Sequence, residues 1–307
     1  MVVKQKIFIS GQEGMVGSAV YNLLKKKNLH IIECKRNSLD LLNQASVDSW
    51  FKKNKVDIVI NCAGRVGGIL ENSLKKDLFL NDNILIGMNL INSSIKYKVK
   101  QFINLGSACI YPKLTPQPIK EDYLLSSELE STNEGYAIAK IATLKYCEYL
   151  NKYKKKNFIS LQPTNLYGFN DNYDLKSSHV IPALVRKFHE AVIFNRKSVE
   201  VWGNKNTSRD FLFSEDLAEL IFFLLNKNIK YPYINVGSGR EVTILRLVKL
   251  IIEIVGYKGN FYFNKNMPSG QKRRVLSTKK LRLIGWKPKF SLEMGLRKYY
   301  EWFKKEY

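Results

Sequence analysis

The stretch KIFISGQEGMVGSAVYNLLKK, residues 6–26, constrains the fold more than any other part of the chain. A short run of β-formers leads into three glycines, Gly11, Gly14 and Gly17, and these lead into a helical pattern. Glycine permits tight turns and lets a backbone approach a neighbour closely. A strand, a glycine turn and a helix in that order open a parallel α/β sheet. The free N–H groups at the helix start then form a seat for a pyrophosphate. The spacing G-x-x-G-x-x-G in this setting predicts a bound dinucleotide.

The next stretches keep the same rhythm. HIIEC (30–34), VDIVINCAG (56–64), QFINLGS (101–107) and NFISLQPTNLYG (157–168) read as strands. ASVDSWFKKN (45–54), NILIGMNLINSSIKY (83–97) and GYAIAKIATLKYCEYLNKY (135–153) read as helices. Alternation of this kind implies right-handed crossovers and a doubly wound parallel sheet of the Rossmann type, covered on both faces. After about residue 165 the alternation loosens. The expected architecture is α/β, with residues 1–165 as the dinucleotide domain and 166–307 mainly a smaller C-terminal α/β lobe. The chain is expected to return to the first domain at about 207–236.

The tip of the second strand, ECKRN, bears on which dinucleotide binds. Lys35 and Arg36 would meet a 2′-phosphate, which favours NADP(H) over NAD, although Glu33 stands close by. Composition argues against other classes. The net charge is +23, yet the lysines are dispersed, with only short clusters at 25–27, 52–55, 152–156 and 272–274. No basic tail or basic-aromatic repeat points to nucleic acid, while a moderate positive field suits a diphosphate substrate. No run approaches the ~18 apolar residues of a membrane span, and the apolar start is too short for a secretory signal. Cys34, Cys62, Cys109 and Cys147 form no C-x-x-C pair, and three histidines are few for a metal centre. The expectation is a cytoplasmic protein with reduced thiols, no metal and no membrane or nucleic-acid partner.

Chemistry-bearing residues then fall into a pattern. Tyr136 and Lys140 are four apart on a predicted helix, hence on one face. A nearby ammonium favours the phenolate and should lower the tyrosine pKa. Ser107 could hydrogen-bond a carbonyl undergoing reduction. In LGSACIYPK (105–113), strand alternation would put Ser107 and Cys109 on the same side. Read from the residues alone, Cys109 could equally be a small buried residue and His179 a surface or packing histidine.

The glycine loop, VINCAG, Ser107, Tyr136 and Lys140, in that order, resemble the extended short-chain dehydrogenase/reductases. GMVGSA (14–19), RVGGI (65–69), CIYPK (109–113), LE-x-TN-x-x-YA-x-AKIA (129–142), PTNLYG (163–168), SSHVIPAL (177–184), VWG (201–203) and INVGSG (234–239) narrow the likeness. They are similar to the GDP-L-fucose synthase family over nearly the whole chain. The resemblance implies NADPH-dependent reduction at carbon 4 of a GDP-4-keto-6-deoxysugar by Ser107, Tyr136 and Lys140. It implies proton transfers at carbons 3 and 5 by Cys109 and His179. The cofactor would meet Gly11, Gly14, Met15, Val16, Gly17, Arg36, Lys140, Asn165 and His179. The GDP-sugar would meet Lys187, Trp202 and Arg209, with Arg209 on the diphosphate. A homodimer is implied, built on the helices near 83–97 and 136–153.

The chain departs from the family pattern in places. Glu13 replaces the arginine of G-H-R-G, Ala108 the middle serine of S-S-C-I-Y-P, and Arg65 the lysine of K-V-G-G. Lys187 replaces an arginine. PSGQKRRVLS, residues 268–277, stands where the family reads P-D-G-x-x-R-K-x-x-D, so Ser269 and Ser277 replace aspartates. These changes leave open a reductase without epimerase activity acting on a GDP-4-keto-6-deoxy-heptose, as in surface-polysaccharide pathways. From other classes, a non-catalytic nucleotide- or nucleic-acid-binding protein would be expected to lose Tyr136 or Lys140. A dehydratase or NAD-retaining epimerase sits poorly with Lys35, Arg36 and the Cys109/His179 pair.

Overall fold

The computed structural model describes residues 5–175, 177–267 and 270–307, and Ser269 lies outside them. The first half runs β1 (Lys6–Ser10), α1 (Met15–Lys26), β2 (His30–Ile32), α2 (Gln44–Asn54), β3 (Ile58–Asn61), α3 (Ile69–Leu74), α4 (Lys76–Lys96), β4 (Gln101–Leu105), α5 (Glu134–Lys154) and β5 (Asn157–Pro163). The second half runs β6 (Asn165–Tyr167), α6 (Val180–Ile193), β7 (Ser198–Trp202), β8 (Ser208–Arg209), β9 (Phe211–Phe213), α7 (Ser214–Leu224), β10 (Tyr233–Val236), β11 (Val242–Thr243), α8 (Ile244–Val255), β12 (Asn260–Asn264), β13 (Arg273–Arg274), α9 (Lys279–Leu283) and α10 (Leu292–Glu306).

Six strands form the central sheet in the order β10-β5-β4-β3-β1-β2, and every pairing is parallel. Period-two alternation sorts its side chains. Ile7, Ile9, Ile58, Ile60 and Leu161 pack with α1 and α7 on one face. Phe8, Val59, Phe102 and Phe158 pack with α2, α4 and α5 on the other. Both faces are therefore buried, as a parallel sheet requires. The order reverses direction between β1 and β3, so the crevice for a ligand opens at the carboxyl ends of those two strands.

A row of polar side chains crosses the sheet inside this apolar frame. Ser10 donates to Asn61 (2.8 Å), Asn61 to Asn104 (3.0 Å), and Asn104 to Ser160 (3.3 Å). These residues are register partners on β1, β3, β4 and β5. Because a one-residue slip would break every link, the row pins the strand register.

After β6 the chain leaves the sheet to form α6, β7 and β8. It comes back through β9, which pairs with β6, then α7 against α1, and β10 at the sheet edge. It then leaves again through α8, β12 and α10, whose apolar sides meet α6 in a second core around Phe188, Leu247, Tyr299 and Phe303. The helix anticipated at 83–97 is longer, beginning at Lys76. Its first turns carry Asp77, Asn81 and Asp82, which mask the apolar pattern; Asp82 is buried beneath Arg65 at 2.7 Å.

Candidate active site

The glycine loop is shaped by contact. Gly11 has φ +69°, and a Cβ there would lie 2.9 Å from the Ala63 backbone on the β3 side of the crevice. A Cβ at buried Gly17 would lie 2.0 Å from the Gly11 carbonyl oxygen. Gly14 caps α1 without any side-chain hydrogen bond, so Met15, Val16 and Gly17 open a helix whose first N–H groups are uncapped by side chains. Arg36 is exposed on a short 3₁₀ turn just beyond β2. Glu33 does not face the crevice as a free carboxylate, because it accepts a hydrogen bond from Tyr21 of α1 at 2.6 Å. These features fit a phosphorylated dinucleotide: a cradle that a Cβ would fill, an uncapped helix start, an engaged acid and an exposed arginine.

β4 ends at Leu105, and Ala108–Ile110 form a 3₁₀ turn. Strand alternation therefore does not relate Ser107 to Cys109, contrary to the sequence expectation. The turn joins them instead: the Cys109 N–H donates to Ser107 Oγ at 3.1 Å. The Ser107 N–H is in turn fixed by Gln162 Oε1 of β5 at 3.0 Å. The Tyr136 phenol, on the first turn of α5, interacts with the Ser107 hydroxyl, which favours its ionised form.

Lys140 lies one turn further along α5. Its Nζ donates to the Leu105 carbonyl at 2.9 Å and sits 5.6 Å from the Tyr136 ring centre. Burial pushes the Lys140 ammonium down to about 8. The expected lowering of Tyr136 is reversed. Burial, reinforced by Cys109, pushes its phenol up, and the Ser107 hydrogen bond offsets this only in part. Desolvation wins because the Lys140 ammonium is bonded to the Leu105 carbonyl rather than to the phenol.

Cys109 has partners that sequence reasoning did not find. Asn133, which precedes α5, donates Nδ2–H to its sulfur at 3.2 Å, and Arg274 of β13 donates Nη1–H at 3.4 Å. Arg209 shares this cluster; burial, then Arg274, lowers its guanidinium to about 10. His179 stands immediately before α6, and its ring caps no helix N–H. The ring is exposed to solvent, yet protein surrounds it closely enough to lower its pKa. The Ser177 carbonyl just before it accepts from Gly68 N–H at 2.9 Å, so the loop rests on the RVGG turn.

Asn165 is held by its Nδ2–H on the Asp210 carbonyl at 3.0 Å. Asp210 is fully buried, its carboxylate held by Ser238 and the Gly239 N–H, and burial lifts it to about 6. Asp210 thus ties INVGSG to Asn165, a positioning role that the SRDF motif did not announce. Lys187 and Trp202 form a separate group. Lys187 Nζ lies 4.7 Å over the Trp202 ring, and the indole N–H donates to Glu200 at 3.2 Å. Signals for the missed residues were weak. Asn133 belongs to the quoted LE-x-TN stretch, and Arg274 stands at the lysine of R-K in the family pattern, inside a basic run that reads as solvated surface. Ser277 N–H donates to the Ile119 carbonyl at 2.8 Å. Among the described residues no three His, Cys, Asp or Glu side chains gather to hold a metal. No helix among them is long and apolar enough to cross a membrane.

Comparison with known proteins places this geometry. The NAD dependent epimerase/dehydratase family profile matches residues 7–237. The chain belongs to that family. It is 44% identical over 299 residues to the GDP-L-fucose synthase of Sinorhizobium fredii, covering 97% of this chain and 95% of that one. It is 39% identical over 303 residues to the GDP-L-colitose synthase of Yersinia pseudotuberculosis, covering 98% of each. A solved GDP-mannoheptose C4 reductase from Campylobacter jejuni with NADP bound matches with a TM-score of 0.90 at 33% identity over 99% of each chain. This family member therefore shares its parallel sheet and its second lobe with proteins named for GDP-sugar chemistry.

Proposed function

We propose that this protein reduces the 4-keto group of a GDP-4-keto-6-deoxysugar with NADPH and inverts carbons 3 and 5 before reduction. The observation that carries this reading is the shared turn at 107–109, which presents a hydroxyl paired to Tyr136 beside a thiol held by two donors. NADPH, when bound, supplies the hydride. Gly11, Gly14, Met15, Val16 and Gly17 would seat its pyrophosphate, Arg36 its 2′-phosphate, and Lys140, Asn165 and His179 its inner half. Lys187, Trp202 and Arg209 would hold the GDP-sugar.

Ser107 donates a hydrogen bond to the ketone oxygen, and Tyr136 gives that oxygen its proton. The raised phenol pKa keeps the proton on Tyr136 until it is needed. Lys140 then stabilises the phenolate. At carbons 3 and 5 the ketone acidifies the neighbouring C–H bonds. Cys109 as thiolate takes the proton, forming S–H and leaving an enolate. His179, protonated for the step although burial disfavours the imidazolium, gives a proton to the opposite face and restores the ketone with inverted configuration; return of the thiol proton to the imidazole through solvent resets both groups for the second carbon. No net oxidation accompanies that step.

A reductase that does not epimerise, acting on a heptose, is the second reading, favoured by the structural likeness to a mannoheptose C4 reductase. We further propose a homodimer through α4 and α5. They carry exposed Leu78, Ile138, Tyr149 and Tyr153, and Met88, Tyr146 and Tyr149 line a surface hollow of about 400 Å³. The free cysteines and the NADPH requirement suit the cytoplasm. The division near residue 165 into a cofactor lobe and a sugar-nucleotide lobe, with return at 207–236, belongs to the same proposal.

The deciding experiment is turnover in heavy water with GDP-4-keto-6-deoxymannose and, separately, its heptose analogue. NADPH loss with deuterium on carbons 3 and 5 supports the bifunctional enzyme. NADPH loss without carbon-bound deuterium makes it a reductase alone, and no NADPH loss with either substrate rejects both readings.

A further inference from the structure

We propose that Arg274 and Asn133 are positioning residues that hold the Cys109 sulfur as a hydrogen-bond acceptor, and that proton transfer at carbon depends on them more than ketone reduction does. The proposal rests on the functional reading above for its chemistry and on independent geometry for the cradle. The geometry is two N–H donors, from different lobes, converging on one sulfur at 3.2 and 3.4 Å. A neutral thiol is a weak acceptor and rewards such donors little. Anionic sulfur makes both bonds charge-assisted, so the arrangement suits a thiolate.

Arg274 strengthens the argument. It is only 8% exposed, and a guanidinium keeps its charge in a protein. Its Nε–H donates to the neutral Gln271 Oε1 at 2.7 Å. Among the described residues no carboxylate pairs with it within ion-pair distance. A buried cation without a counter-ion is costly, and the thiolate supplies the missing negative charge.

The segment that carries Arg274 is stitched to the chain just after Cys109. Gln271 Nε2–H donates to the Lys113 carbonyl (3.2 Å), Val275 N–H to Gln117 Oε1 (2.9 Å), and Ile119 N–H to the Val275 carbonyl (2.8 Å). The guanidinium position is therefore set relative to the sulfur by backbone. Asn133 lies three residues before Tyr136, so α5 serves both halves of the site. Its Oδ1 is buried and has no partner among the described residues, which leaves it able to accept from a sugar hydroxyl.

The two chemistries thus have different roots. Ser107, Tyr136 and Lys140 come from the turn after β4 and from α5, within the family-matched region. The grip on Cys109 needs Arg274, from beyond it. A substrate anchor would behave differently, raising KM for reduction and exchange together.

The test uses Arg274→Met, Arg274→Lys and Asn133→Ala in the full chain. The first readout is the ratio of deuterium on carbons 3 and 5 to NADPH consumed, with GDP-4-keto-6-deoxymannose in heavy water. The expectation is a fall of about tenfold or more in Arg274→Met, a smaller fall in Asn133→Ala, and partial recovery in Arg274→Lys. The second readout needs no turnover: the rate of iodoacetamide labelling at Cys109, read on its own peptide because Cys34 and Cys62 are also unpaired. Labelling should slow in Arg274→Met and recover in Arg274→Lys, since the thiolate is the reacting form. An unchanged ratio with unchanged labelling overturns the proposal, as does a KM rise shared equally by both reactions. If the wild type shows neither NADPH loss nor exchange, the functional reading fails while the labelling still judges the cradle.

Discussion

At the scale of single residues, Tyr136 and Lys140 are set by burial rather than by each other. Tyr136 keeps its proton to high pH, the form a proton donor needs. Lys140 is charged below about 8 and loses its charge as pH rises through that value. NADPH oxidation should therefore decline above about pH 8, measured as kcat under saturating substrate. Lys140→Met should lower the rate throughout and remove that inflection. Tyr136→Phe should cut NADPH oxidation by about 10²–10⁴-fold while deuterium still enters carbons 3 and 5. A matching loss of exchange would mean the phenol serves both steps. Spacing made Ser107, Tyr136 and Lys140 legible because each falls at a fixed point of a strand-helix repeat. The partners of Cys109 were hidden: Asn133 is 24 residues away and Arg274 is 165 away. No local periodicity reports such a contact.

At the scale of elements, the alternation of Ile7, Phe8 and Ile9 already sorts two cores, so the sheet and its covering helices were readable. What alternation cannot show is a polar group inside a strand that reads as apolar. Asn104 is fully buried in QFINLGS, and its role appears only when β3 and β5 lie beside it. Asn104→Leu would leave the Asn61 amide without its acceptor and Ser160 without its donor. A cost of about 1–3 kcal/mol is expected for the orphaned groups, seen as a lower urea midpoint with unchanged slope. Pairings such as β12 with β7 and β6 with β9 were equally unreadable, since the partner lies far along the chain. Cys109 shows the reverse: its spacing from Ser107 reads as strand alternation, yet it sits in a turn.

At the scale of the whole molecule, the lobes are joined by polar contacts around the site. Asn170 donates to Ser18 of α1 at 2.9 Å, and the carboxylate of Asp216 on α7 accepts the N–H groups of Lys289 and Phe290 before α10. Asp171 sits beside this joint, on the loop that leads to His179. It is 7% exposed; one carboxyl oxygen accepts the Asn172 N–H at 2.8 Å and the other has no partner among the described residues. Burial lifts it from 3.8 to about 7. The folded state then binds an extra proton between those values, so this carboxyl's contribution to stability is fully present below 3.8 and is lost as pH rises towards 7. At 1.36 kcal/mol per pKa unit the penalty above pH 7 has a ceiling of about 4 kcal/mol. Asp210 differs, because Ser238 and Gly239 hold its carboxylate from two sides, and neutralising it would waste those donors. Asp171→Asn should therefore stabilise where Asp210→Asn does not. The expected gain is about 2–6 °C in Tm at pH 8, shrinking to none near pH 4, followed by circular dichroism across that range. A gain that stays constant with pH would assign the effect to packing instead of to ionisation at Asp171.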